Sequence, residues 1–288
     1  MHYSSLDYLK CVKCHAALDL TSYYTDEQIN EGILVCTKCG LVFPIIQGIA
    51  ILWNDFASYI SHRQRLGGQL FLAAKSPKIK SIVKSALSQA AKSQDLSIIE
   101  KRWTGIYQKN QKSRFYGVVK KTLHNADLAL EHGCSIGVMT KHLAQKSRQA
   151  FGIDKSFYAI LEAKKSKQKN LDFFVADSME HPFGKTKFDL ILGLNLFELI
   201  EPKKLLKVLA SQMQKHGTLI LSDPYDYDRG EKSVKEPLHE DTIRKEIAKL
   251  GFVISARTKK PSHIPWNLNL HKRANLQYLV DLLVATKS

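Results

Sequence analysis

Five short apolar runs, each ending in a polar residue, constrain this chain more than anything else in it. They are "ADLALE" (126–131), "QAFGID" (149–154), "LDFFVAD" (171–177), "FDLILGLN" (188–195) and "GTLILSD" (217–223), and helix-like segments separate most of them. Runs this short and apolar suit strands buried on both faces. Strands alternating with helices imply an α/β fold with a doubly wound, mostly parallel sheet. Ligands of such sheets sit beyond the carboxyl ends of the strands. Here those ends carry Glu131, Asp154, Asp177 and Asn195. The first strand leads into a turn with Gly133, Cys134, Ser135 and Gly137, and a helix is expected over 138–144. Glycines let the backbone approach a ligand, and a helix start offers unpaired N–H groups. The dinucleotide fingerprint is absent, because Ser135 stands where a second glycine is common. Acids at three strand ends would also repel a pyrophosphate.

The N-terminal part carries a different signal. Four of the five cysteines form two Cys-x-x-Cys pairs, Cys11 with Cys14 and Cys36 with Cys39. Two such knuckles at this separation suit four thiolates around a tetrahedral Zn²⁺. Disulfides or plain buried thiols are the alternatives. The opening "MHYSSLDYLKCVKCH" lacks the basic-then-apolar layout of a secretion signal. Zinc and a cytoplasmic location are therefore predicted. Gly40 follows the second knuckle at a place that often needs positive φ, and His15 is expected to be exposed. In "LVFPIIQGIAILW" two apolar runs flank Gln47 and Gly48, as a strand pair with a glycine turn would.

Composition limits the rest. The 288 residues are 44% hydrophobic and 24% charged, which reads as globular, and no run is long enough to span a membrane. A formal net charge of +16 suggests an acidic partner such as RNA, or a lysine-rich solvated surface. "KKSKQK" (164–169) is read as solvating charge at the far end of the second helix. Between ribbon and sheet, Ile79, Ile82, Val83, Ala86 and Leu87 recur at helical spacing, with breaks expected at Gly67-Gly68 and Ser76-Pro77. The domains expected are a ribbon at 1–57, a helical linker at 58–125 and the sheet domain at 126–288.

Two family resemblances follow. "LKCVKC…GILVCTKCGLVFPIIQGIAILW" resembles the zinc-ribbon activator subunit of eukaryotic and archaeal methyltransferases and its small bacterial relatives. The resemblance implies a non-catalytic ribbon that docks on a methyltransferase domain or on a partner protein. The region from about Asp127 to Thr286 is similar to class I S-adenosylmethionine-dependent methyltransferases. It implies a seven-stranded sheet and a set of cofactor residues. "LEHGCSIG" is similar to the first motif, with Glu131, Gly133, Cys134, Ser135 and Gly137 in it and Ser135 replacing a glycine. Asp154 stands where an acid holds the ribose hydroxyls. Asp177, Ser178 and Met179 stand where the adenine is bound. Asn195 lies where the chain passes the sulfonium and the acceptor.

Acids suit a cofactor that carries a sulfonium and an ammonium. For each of Asp154, Asp177 and Asn195 the competing role is capping the following helix. Asn195 and Glu198 are the candidates for orienting and deprotonating an acceptor. Acceptor contacts are expected from Tyr225, Asp226 and Tyr227 in "DPYDYDRGEK". Others are expected from His263, Trp266 and Arg273 in a loop over 261–275, which the resemblance places between the last two strands. A nitrogen of a small molecule or a protein side chain is the favoured acceptor. There is a faint similarity to methyltransferases of histidine-derived compounds. The alternatives are RNA and a non-catalytic, cofactor-binding scaffold.

Overall fold

The ribbon is built from four strands in the computed structural model, which describes residues 1–89, 95–228 and 234–288. These are β1 (Leu18–Thr25), β2 (Ile29–Cys36), β3 (Val42–Ile46) and β4 (Ile49–Leu52). Next come helices α1 (Phe56–Ser61), α2 (Gln64–Ala73), α3 (Pro77–Ser88), α4 (Leu96–Lys109) and α5 (Arg114–Lys120). Then β5 (Ala126–His132), α6 (Val138–Ala144), β6 (Ser147–Asp154), α7 (Phe157–Ala163), β7 (Leu171–Ala176) and β8 (Phe188–Leu194) alternate. The chain closes with α8 (Pro202–Gln212), β9 (Met213–Asp223), α9 (Glu240–Lys249), β10 (Phe252–Ile254), β11 (Ile264–His271) and β12 (Ala274–Lys287). Among the described residues no helix is long and apolar enough to cross a membrane. The chain divides into two compact units, Met1–Gly105 with Ile153–Thr186, and Ile106–Gly152 with Lys187–Ser288.

In the first unit β1, β2, β3 and β4 form an antiparallel meander. Ile46 pairs with Ile49, so Gln47 and Gly48 alone make the hairpin turn. Their φ values of 54° and 74° are those of a two-residue turn that matches strand twist. All four residues of β4 are buried. Strand β4 then pairs in parallel with β7, Ile51 opposite Val175 and Leu52 opposite Ala176. The last ribbon strand is thus one strand of a sheet shared with the α/β part of the chain.

Buried charge fastens this arrangement. Asp172, on β7, is fully buried, and its carboxylate accepts the Lys164 ammonium at 2.7 Å, the Ser5 hydroxyl at 2.9 Å and the His2 N–H at 2.8 Å. Lys164 therefore departs from the solvated role expected of "KKSKQK", because Asp172 lies within its reach. Glu31 of β2 accepts the N–H groups of Lys75 and Ser76 at 2.7 and 2.8 Å, which holds the α2–α3 junction against the ribbon. Asp55 caps α1 through the N–H groups of Ala57 and Ser58, and Pro77 opens α3.

Gly67 and Gly68 do not break the chain; both lie inside α2. A Cβ on Gly67 would sit 2.6 Å from Leu87 Cδ2 and 2.8 Å from Ile60 Cγ2, so the missing side chain is what lets neighbouring side chains close on α2.

In the second unit β5, β8 and β9 are parallel, and β9, β12 and β10 are antiparallel. Strand β8 follows β7 in the chain yet pairs with β5, so strand order departs from chain order there. Leu194 pairs with Ser222, and Asp223 with Asp281. The segment 261–275, expected as a loop, contains β11, hydrogen-bonded to β12 with Trp266 opposite Tyr278. Its period-two pattern explains this: Trp266 and Leu268 are buried, while Asn267 and Asn269 are exposed. Asparagines on the open face had disguised a strand.

Candidate functional site

The four ribbon sulfurs converge. Cys11, Cys14, Cys36 and Cys39 place their Sγ atoms within 4.8 Å of one another, with Cys11 3.6 Å from Cys39 and Cys14 3.3 Å from Cys36. A tetrahedral Zn²⁺ with Zn–S bonds near 2.3 Å needs sulfur separations of about 3.8 Å. The donor set fits. The N–H groups of Lys38 and Cys39 point at Cys36 Sγ at 3.4 Å. They outweigh burial and bring the Cys36 thiol down to about 6, while burial pushes Cys11 up to about 12. Gly40 has φ of 70°, as the knuckle requires. His15 follows the first knuckle with φ of 58° and is exposed.

The turn after β5 bends through a run of left-handed residues: Gly133 at 61°, Ser135 at 48° and Gly137 at 70°, the last starting α6. Ser135 thus takes the backbone conformation that glycine favours. A Cβ on Gly133 would overlap Leu196 Cδ2 at 2.2 Å, so this glycine gives room to the segment after β8. Glu131 is 3% exposed and accepts the Thr140 hydroxyl at 2.5 Å, tying the end of β5 to α6. Cys134 is buried in the turn.

Asp154 ends β6. One of its oxygens accepts the Ser156 N–H at 2.8 Å, and Ser156 itself caps α7. Asp177 follows β7 and accepts the Met179 N–H at 2.8 Å, with the Lys155 ammonium 3.0 Å from its other oxygen. Ser178 is buried and Met179 half-buried. Both acids thus help turn the chain at their strand ends. Three side chains that the sequence did not single out form a linked set in the same unit that meets the residue after Asp154. The Tyr59 hydroxyl donates to the Lys155 carbonyl at 2.9 Å. The Arg63 guanidinium lies 4.1 Å from the centre of the Tyr59 ring and pairs with Glu100 at 2.7 Å.

In the second unit Asn195, after β8, and Tyr225, after β9, both hold φ of 55°. Positive φ is costly for such residues and persists only where surroundings over-determine it. They do so here. The Asn195 N–H donates to the Ser222 carbonyl at 2.7 Å, and the Ser222 hydroxyl to Asn195 Oδ1 at 2.8 Å. Asp223 Oδ1 accepts the Tyr225 N–H at 2.8 Å, and Oδ2 accepts that of Phe197 at 2.9 Å. The Tyr225 hydroxyl donates to Asp281 Oδ2 at 3.0 Å. Arg244 embraces the same carboxylate at 2.7 and 3.1 Å. Tyr227 donates to the Leu238 carbonyl at 2.6 Å, with its ring edge-on to His239. Glu198 and Asp226 are half-buried. Residues 229–232 of "DPYDYDRGEK" lie outside the described residues.

The remaining candidates lie on or beside β11. Trp266 is 4% exposed and packs in an aromatic cluster with Tyr107, Phe115 and Tyr278. His263 is exposed just before β11, and Arg273 is exposed in the β11–β12 turn. Sequence reasoning missed Asp223 and Asp281. The first continues the rhythm of strand-end acids, and the second is an acid inside the apolar run "LVDLLV".

Residues 130–221 match the family described as a methyltransferase domain, and residues 3–48 match the family of Trm112p-like proteins. The chain is a class I methyltransferase that carries a Trm112p-like zinc ribbon. S-adenosylmethionine is the methyl donor of that class. Among curated proteins, none matches the sequence. Of solved structures, one similar chain belongs to a complex containing the Haloferax volcanii Trm112 methyltransferase activator. It shares 14% identity over 65% of this chain and 96% of that one, with a TM-score of 0.51. Another is the magnesium protoporphyrin IX methyltransferase of Synechocystis PCC 6803 with S-adenosylmethionine bound, at 20% identity, covering 69% of this chain and 100% of that one, with a TM-score of 0.48. At these identities the first likeness shows the fold alone. The methyltransferase domain here has groups of the right chemistry for its cofactor: strand-end carboxylates that can accept from hydroxyls and an amine, and a turn of left-handed residues that leaves room for close approach.

Proposed function

We propose that this methyltransferase methylates a nitrogen of a small molecule or of a protein side chain. The observation that carries this reading is the pair of strained, multiply bonded residues, Asn195 and Tyr225, at the ends of two hydrogen-bonded strands. Strain of this kind clusters at functional sites. When bound, S-adenosylmethionine supplies a methyl group on a sulfonium already activated for transfer. The chain's residues then need to align the acceptor and exclude water. In this reading Asp154 takes the ribose hydroxyls and Asp177, Ser178 and Met179 take the adenine. Glu131, Gly133, Cys134, Ser135 and Gly137 form the turn beside the rest of the cofactor. Asn195 Oδ1, with one lone pair on Ser222, has a second for an acceptor N–H. Glu198 accepts the proton the nitrogen loses, and Tyr225, Asp226, Tyr227, His263, Trp266 and Arg273 are the candidate acceptor contacts.

Two substitutions separate cofactor from acceptor. Asp154→Ala should weaken S-adenosylmethionine binding about 10- to 100-fold, since hydrogen bonds to a charged acceptor contribute roughly 1.5–3 kcal/mol. Calorimetry reads this directly, and preferred binding of a nicotinamide dinucleotide would overturn the assignment. Asn195→Ala should leave that affinity nearly unchanged and lower methyl transfer about tenfold or more. The acceptor class is read by incubating the protein with methyl-labelled cofactor and a cell extract, then splitting the extract into RNA, protein and small-molecule fractions. Label confined to RNA would sink the reading.

One observation favours RNA as the second reading. A recess of about 310 Å³ in the first unit is lined by Arg65, Lys101 and Arg102 with Tyr158. Among the described residues no carboxylate forms an ion pair with any of the three cations. RNA methylation would fall steeply with added salt.

A further inference from the structure

We propose that Asp223 is a positioning residue of methyl transfer, its buried carboxylate holding the turn after Asn195 and the loop of Tyr225 in the register the acceptor requires. This rests on the reading that Asn195 and Tyr225 meet the acceptor. Asp223 is 1% exposed and ends β9, between its neighbours β8 and β12. Its two oxygens are divided between two segments: Oδ2 takes the Phe197 N–H at 2.9 Å, and Oδ1 the Tyr225 N–H at 2.8 Å. One carboxylate thereby sets the distance between the segment after β8 and the segment after β9. Tyr225 is fixed at both ends, its amide on Asp223 and its hydroxyl on Asp281, which Arg244 and the N–H and hydroxyl of Ser262 also hold. Asp223 bonds Tyr225 and Phe197 while its neighbour Ser222 bonds Asn195, and together they make a rigid edge.

The fold would be better off without this charge. Burial, with Glu198 nearby, raises the Asp223 carboxyl from the ordinary 3.8 to about 7, against the N–H groups of Phe197, Tyr225 and Leu196, which lower it. Tyr225 and Tyr227 also face it, and its register partner across β12 is Asp281. A group whose folded pKa is raised contributes stability that is fully present below its unfolded value and lost as pH rises through the folded value. The loss runs from about pH 4 to about pH 7.

Asp223→Asn is the test, because asparagine keeps the shape and offers one oxygen where two N–H groups converge. In the full chain, transfer of label from methyl-labelled S-adenosylmethionine to a cell extract should fall about tenfold or more, with cofactor affinity nearly unchanged. Hydrogen exchange at the Phe197 or Tyr225 amide should speed up about tenfold while amides within β8 and β9 keep their rates. The Tm difference between variant and wild type should move in the variant's favour from pH 5 to pH 8. Unchanged transfer, or a Tm deficit that stays constant with pH, overturns the proposal. Should the variant fail to fold, the Phe197 and Tyr225 amide resonances of the wild-type protein decide. They should titrate together with a midpoint near 7, as for the Asp223 carboxyl, and no titration between pH 5 and pH 9 rejects it. The amide readouts involve no acceptor, so this proposal and the acceptor reading can fail separately.

Discussion

Zinc removal will unfold the ribbon and loosen β7 with it. The four sulfurs are gathered within 4.8 Å, and nothing but a cation offsets four thiolates held so close. Zinc binding supplies roughly 10–16 kcal/mol of folding free energy in small zinc modules. That matches or exceeds the roughly 5–15 kcal/mol that holds an ordinary domain together. An isolated ribbon would unfold alone. Here β4 is hydrogen-bonded to β7, the Lys10 N–H donates to the Pro182 carbonyl at 2.7 Å, and Glu31 holds the α2–α3 junction. Losing β4 leaves Val175 and Ala176 on an open strand edge. Cys36→Ser, or a strong chelator, should therefore speed amide exchange in β2, β4 and β7 together. Metal analysis should find about one Zn²⁺ per chain, as one four-thiolate site requires. If metal-free protein keeps β4 and β7 protected as in the zinc-loaded form, the coupling is wrong.

Asp172→Ala will be strongly destabilising. Asp172 is fully buried, and the Lys164 side chain is only 13% exposed. Truncating one partner of a buried pair costs roughly 3–5 kcal/mol, because the other charge is left without compensation. Here the Ser5 hydroxyl and the His2 N–H lose their acceptor as well. Burial alone would raise the Asp172 carboxyl, but Lys164, the N-terminal ammonium and the His2 N–H outweigh it and hold it below its ordinary 3.8. With a depressed folded pKa, the contribution is present above about pH 4 and lost as pH falls through the folded value. Denaturant unfolding of wild type should therefore show a loss of stability below pH 4 that the variant lacks. A variant as stable as wild type at pH 7 would refute the ion pair's role.

What could be read from the chain alone was whatever is encoded at short range. The cysteine knuckles announce a metal because four soft ligands at that spacing have few other uses. The type of Gln47-Gly48 as a turn, and the polar residues closing each strand, follow from patterns a few residues long. Helix α3 follows from apolar residues at helical spacing, of which Ile79, Val83 and Ala86 are fully buried. Errors arose where local preference met a tertiary contact. Gly67 is a breaker by propensity, yet neighbouring side chains closing on α2 make its lack of a side chain an advantage. The polar face of β11 looked like a loop until β12 paired with it.

Local pattern determined the zinc ligands, the α/β alternation and the strand ends where a cofactor would bind, since each depends on spacing along the chain. Tertiary structure decided which strand receives the ribbon, that Lys164 finds Asp172, and that Asp223 joins the segment after Asn195 to Tyr225. Those contacts join residues from 8 to 170 positions apart, or depend on two strands lying side by side. No periodicity reports them, because a hydrogen bond between distant residues exists only once packing has brought its donor and acceptor together.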